Sequence, residues 1–89
     1  MLTAELTADQ LRAARALIRW SARRLAERAG VHVATVQRME RSQGPIRGNV
    51  SSLLKVKGAL ESAGVEFLAD GESRGVRLRN DARERTRAG

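Results

Sequence analysis

Ser21-Ala22-Arg23-Arg24-Leu25-Ala26-Glu27-Arg28-Ala29-Gly30-Val31-His32-Val33-Ala34-Thr35-Val36-Gln37-Arg38-Met39-Glu40-Arg41 decides the fold of this 89-residue chain. Ser21 is a good N-cap, because its side-chain oxygen can take an orphan N–H of the first helical turn. A helix over Ala22–Ala29 would carry Leu25, Ala26 and Ala29 on its inner stripe. Gly30 stops it, since glycine enters the left-handed conformation at little cost. Val31 seals the turn. A further helix, Val33 to about Arg41, turns Val36 and Met39 inward. Small Ala26 lets the two axes approach. These coupled positions predict a helix-turn-helix, a unit whose second helix lies in the DNA major groove.

Outward from this stretch, Thr7 and Gln10 have capping-box spacing. A helix then runs to about Arg19, with Leu11, Ala14, Leu17 and Ile18 at helical intervals and Arg12, Arg15 and Arg19 on another face. Trp20 closes this segment as a core residue. Residues 1–6 form a lead-in. Ser42 to Gly48, with Gly44 and Pro45, is a loop. Ser51 or Ser52 caps a fourth helix that ends near Ala63, with Gly64 as its C-cap. Its core stripe is Leu53, Val56, Leu60 and Ala63. Gly58 inside it costs about 1 kcal/mol against alanine, which marks either close backbone packing or tolerance. Val65–Leu68 and Gly75–Arg79 read as two short strands, with Asp70-Gly71 as turn chemistry between them. The polar residues 80–89 read as a disordered basic tail. The expected fold is mainly α: a compact four-helix domain over residues 1–64, a strand pair over 65–79 as a dimerisation element of the same domain, and the tail.

Composition narrows the function. The chain has 17 Lys and Arg against 10 Asp and Glu, a net charge of +7. Residues 21–48 carry +4 of it. A surplus concentrated on one unit is the footprint of a phosphate-binding surface. Only Trp20 and Phe67 are aromatic, so the core is aliphatic and alanine-rich. There is no cysteine and one histidine, which excludes a disulfide framework and leaves a zinc site without ligands. No apolar run reaches the roughly 18–20 residues of a membrane span, and no signal peptide is expected at the N-terminus, so a cytoplasmic location is expected. No nucleophile–base set, phosphate loop or metal cluster is visible, so no enzyme and no cofactor is expected.

Leu11–Ser21, Leu25–Val31, Thr35–Arg41 and Ala59–Leu68 together resemble the Xre/Cro-type helix-turn-helix family, over residues 7–68 and reaching the terminal strands. The resemblance implies a bacterial or phage DNA-binding regulator that binds partly palindromic double-stranded DNA as a homodimer. The chain departs from the family at Ala22, where a phosphate-directed glutamine is common. It departs again at His32, Val33 and Ala34, where serine and polar readers are common, and at Ser42 in place of glycine. Its operator cannot therefore be borrowed from a relative.

With Val36 and Met39 inward, the second helix of the unit presents His32, Val33, Ala34, Gln37 and Arg38 as base contacts. Val33 and Ala34 suit thymine methyl groups, Gln37 adenine and Arg38 guanine. His32 is also readable as a cap or a phosphate donor, with a plain surface histidine the favoured reading. Candidate phosphate contacts are Ser21, Arg23, Arg24, Thr35, Arg41, Arg47, Asn49 and Ser51, which set register without reading sequence. Glu40 is expected to pair with Arg12 or Arg15. Leu54, Phe67, Leu68, Val76 and Leu78 are the candidate dimer residues. The strands could pack on the helices or pair across a two-fold axis into an intersubunit sheet. A transcriptional regulator is the leading expectation; an antitoxin holding a toxin or co-regulator, or a phage or mobile-element control protein, is the alternative.

Overall fold

The computed structural model describes residues 6–46, 48–71 and 73–79. Four helices come first: α1 (Ala8–Ile18), α2 (Ala22–Ala29), α3 (Val33–Glu40) and α4 (Val50–Ser62). An antiparallel pair follows, β1 (Val65–Ala69) and β2 (Arg74–Leu78). The fold is thus mainly helical, with the strands at the C-terminal side. None of the described helices is long and apolar enough to cross a membrane.

Each helix starts and stops for a local reason. The capping box of α1 is complete: the Gln10 N–H donates to Thr7 Oγ1 at 3.1 Å and the Thr7 N–H to Gln10 Oε1 at 3.0 Å. Asp9 adds a negative charge at the positive end of the helix. At its other end, Trp20 N–H donates to Arg15 O and Arg19 N–H to Ala16 O, a Schellman pair. Arg19 takes the left-handed position there, at φ 58°. An L-residue pays about 1 kcal/mol for that conformation. The cap of α4 is Asn49, whose Oδ1 accepts the Ser52 N–H at 3.0 Å. Neither Ser51 nor Ser52 caps it: the helix starts at Val50, two or three residues earlier than expected, and both serines lie within it.

The core is built from small and aliphatic side chains. Leu11, Ala14 and Ile18 of α1 meet Leu25 and Ala26 of α2, Val36 and Met39 of α3, Leu53, Val56 and Leu60 of α4, and Val65. Leu17 is a correction: it is 37% exposed, on the outer side of α1. Ala63 and Ala29 are only half-buried. Two core residues come from segments with no helical signal. Leu6 and Ile46 are buried, and the Ile46 N–H donates to Leu6 O at 2.9 Å beside a Thr7–Pro45 bridge. Leu6 and Thr7 are thereby stitched to the loop before α4. A Cβ added at Gly58 would meet nothing within 4 Å, so of the two readings tolerance is correct.

The strand pair lies on the helices. Val65 pairs with Leu78 and Phe67 with Val76, and these four share the face turned to the core. Phe67, Val76 and Leu78 are therefore half-buried against their own chain. Gln10, the one buried polar residue among the described ones, is the clamp. Its Nε2 donates to Leu68 O and to Gly75 O, both at 3.0 Å. Since its Oε1 serves the capping box, the side chain fixes the helix start and the hairpin together. A buried amide with every group partnered stabilises; one left unpaired costs about 1–3 kcal/mol.

Candidate nucleic-acid interface

The turn between α2 and α3 spans Gly30 to His32. Gly30 has φ 73°, the Val31 N–H donates to Ala26 O at 3.0 Å, and the Gly30 N–H to Glu27 O at 3.3 Å. This Schellman turn gives partners to two carbonyls that would otherwise be orphaned. Half-buried Val31 packs against the core, as does Ala29. Val36 is fully buried and Met39 is 4% exposed, which fixes the rotation of α3 about its axis.

That rotation determines what α3 shows. Ala34, Gln37, Arg38 and Arg41 are all exposed, at helical spacing along one stripe. Eight residues make a helix about 12 Å long, comparable to the width of the major groove. His32 is exposed at the N-cap, and its side chain makes no capping hydrogen bond to the first turn of α3. Thr35 is half-buried at the flank. Val33 is half-buried and packs against the core, so less of it is available than the sequence pattern suggests.

Arg23, Arg24, Arg38 and Arg41 are exposed and have no ion pair among the described residues. Arg19, assigned from sequence only to the polar face of α1, is exposed two residues before Ser21 and has no ion pair among the described residues. Its adjacency to the cap was the available signal. Arg28 lies over the Trp20 ring at 5.6 Å, which fixes both side chains at the α1–α2 corner. The Ser21 Oγ accepts the Arg24 N–H at 3.0 Å, leaving its hydroxyl hydrogen to donate elsewhere. Asn49 has its carbonyl oxygen committed to the α4 cap and only its amide NH2 to offer outward. Ser51 is exposed. Arg47 lies outside the described residues, as does the 80–89 tail.

Acidic groups are mostly neutralised away from the stripe. Asp9 pairs with Arg12, Glu61 with Lys57 at 2.8 Å and Glu66 with Arg77 at 2.6 Å. Glu40, at the end of α3, receives Arg15 Nε at 2.6 Å and Arg15 Nη2 at 2.9 Å. Its carboxylate holds the Arg15 pKa above the ordinary value, the hydrogen bond outweighing the opposing effect of burial. Arg15 also donates to Trp20 O at 2.9 Å, and Arg12 to the Glu40 carbonyl. One fork thus ties the end of α3 to α1 and to the α1–α2 corner. Of the two partners expected for Glu40, the carboxylate takes Arg15.

No family model matches the chain, and no curated protein matches it.

Proposed function

We propose that the chain is a sequence-specific DNA-binding transcriptional regulator of the Xre/Cro-type helix-turn-helix kind. In this reading α3 enters the major groove of a partly palindromic operator and the protein binds as a homodimer. The observation that carries it is the exposed stripe Ala34, Gln37, Arg38 and Arg41 of α3, together with exposed Arg19, Arg23 and Arg24, none of which has an ion pair among the described residues. Free arginines around a short polar helix suit a polyanion whose groove accepts one helix. Gln37 and Arg38 are the side chains equipped for bidentate base recognition, with Ala34 and the free edge of Val33 against thymine methyl groups. Arg19, Arg23, Arg24, Arg41, Ser21 and Thr35 set register on phosphates. Glu40 acts through Arg15, holding α3 at its angle.

The test is fluorescence anisotropy on a duplex from upstream of the chain's own gene, against a shuffled duplex of the same composition, at about 150 mM salt. Selective binding, at least about a hundredfold tighter to the native sequence, supports an autoregulator. Equal, weak binding to both duplexes overturns self-regulation. Binding that ignores salt overturns the arginine surface itself.

A further inference from the structure

We infer that Arg19 is a determinant of DNA affinity: a backbone-phosphate contact that this chain keeps in the left-handed conformation although the fold is more stable without it. The inference deepens the reading above and rests on it for the duplex, but its test separates the two.

The exception lies in the backbone. Among the described residues, positive φ occurs at Gly30, Gly44, Gly48, Gly64 and Gly71, and at Arg19. Arg19 has φ 58° and ψ 39°. Glycine takes this region at no steric cost, whereas an L-residue brings its Cβ against a carbonyl oxygen. The chain thus uses glycine at every other such step described and departs from that rule once, for a cation.

The fold makes no use of that side chain. Arg19 is exposed and forms no ion pair, side-chain hydrogen bond or ring contact among the described residues. Arg15 already stands in the last turn of α1 to meet the helix dipole. The backbone around Arg19, by contrast, is over-determined. Arg19 N–H donates to Ala16 O at 3.2 Å and Trp20 N–H to Arg15 O at 3.0 Å. Trp20 O accepts Arg15 Nη1 at 2.9 Å, and the Trp20 side chain packs against the core with Arg28 over its ring. The left-handed step cannot relax without breaking these contacts, so the strain persists in the native state. Strain kept at a cation with no role inside the chain points to an anion outside it.

The same bonds locate Arg19. One guanidinium, that of Arg15, holds Trp20 O at 2.9 Å and the two Glu40 carboxylate oxygens at 2.6 and 2.9 Å. The α1–α2 corner and the end of α3 are therefore one guanidinium apart. Arg19 immediately precedes Trp20, and Arg41 immediately follows Glu40. Both are exposed, and neither has an ion pair among the described residues. Two such cations, each one residue beyond an end of this link, suit a run of phosphates passing the end of α3.

Fluorescence anisotropy on the native upstream duplex and its shuffled counterpart, over about 50–300 mM salt, tests this, with a thermal melt of each variant. Arg19→Gly should melt higher than wild type and yet bind both duplexes about 3–30-fold more weakly. Its salt slope should be smaller by about one, with the ratio between the duplexes unchanged. Arg19→Asn removes the charge with a residue that tolerates the left-handed region, and should show the same loss. Arg19→Lys keeps the charge and should keep the slope. Lys55→Ala removes an exposed cation of α4 and should leave the slope unchanged. An Arg19→Gly chain that melts lower, or binds as tightly as wild type, overturns the inference. So does an equal loss from Lys55→Ala, which would make net charge the cause. Equal binding of the wild-type chain to both duplexes overturns sequence specificity, and a loss confined to Arg19 then still supports the contact. A chain that binds neither duplex overturns both.

Discussion

Replacing Glu40 by alanine removes the carboxylate that receives two Arg15 bonds, at 2.6 and 2.9 Å. The side chains are 11% and 23% exposed, so the pair lies between a surface ion pair and a fully dry one. Exposed pairs contribute about 0–1 kcal/mol, whereas cutting a buried one costs about 3–5 kcal/mol. Arg15 keeps its bond to Trp20 O and some access to water after the change, which lowers the penalty. The expected loss for Glu40→Ala is therefore about 2–3 kcal/mol. At about 4–8 °C per kcal/mol for a domain of this size, the melting temperature falls by roughly 10–20 °C. Urea unfolding of Glu40→Ala, Arg15→Ala and the double variant checks the assignment. The double variant should lose less than the sum of the singles by about 1.5 kcal/mol or more, with unchanged urea dependence. A Glu40→Ala loss under about 0.5 kcal/mol, or additive singles, would refute the claim that this fork anchors α3.

Gly58→Ala should stabilise the protein by about 0.5–1 kcal/mol in the same unfolding assay, because the added methyl meets nothing and helix propensity improves. Arg19→Gly relieves the left-handed strain at φ 58° and should raise stability by about 1 kcal/mol. Gln10→Ala strips the hairpin of its clamp. A loss of about 2 kcal/mol is expected, with faster amide exchange in both strands; unchanged exchange would contradict the clamp. On an identified operator, Arg38→Ala should weaken binding about 5–100-fold and relax preference at one base pair. Arg41→Ala should instead weaken all sequences alike and reduce the salt slope by about one.

The helices were legible because their signals are local. Thr7 with Gln10, Ser21, and Gly30 mark starts and stops through backbone bonds closed within a few residues. The inward pair Val36 and Met39 was legible from spacing, and with it the exposed stripe of α3. What escaped has partners far along the chain. Leu6 and Ile46 are buried through a bridge between two segments without periodicity. The second role of Gln10 depends on carbonyls 58 and 65 residues away. Leu17 fits the apolar rhythm of α1, yet the apolar arc of that helix is wider than the surface it covers. Asn49 outcompeted Ser51 and Ser52 as a cap because the helix begins at Val50, an apolar residue that no core position claims. At the interface, the types and spacing of Gln37 and Arg38 were readable. The free state of the surrounding arginines was not, because it depends on where every carboxylate goes.

The Gln10 clamp also bears on the order in which the chain assembles. Helical domains of this size generally fold fast, since most of their contacts are local. Here the first helix is completed by the last strand pair, and a loop of roughly sixty residues must close before the amide finds its acceptors. Such closure makes the docking of the hairpin on α1 a late event. During synthesis, α2, α3 and α4 can pack while the polypeptide is still emerging. The Gln10 clamp closes only when the C-terminal strands have been made.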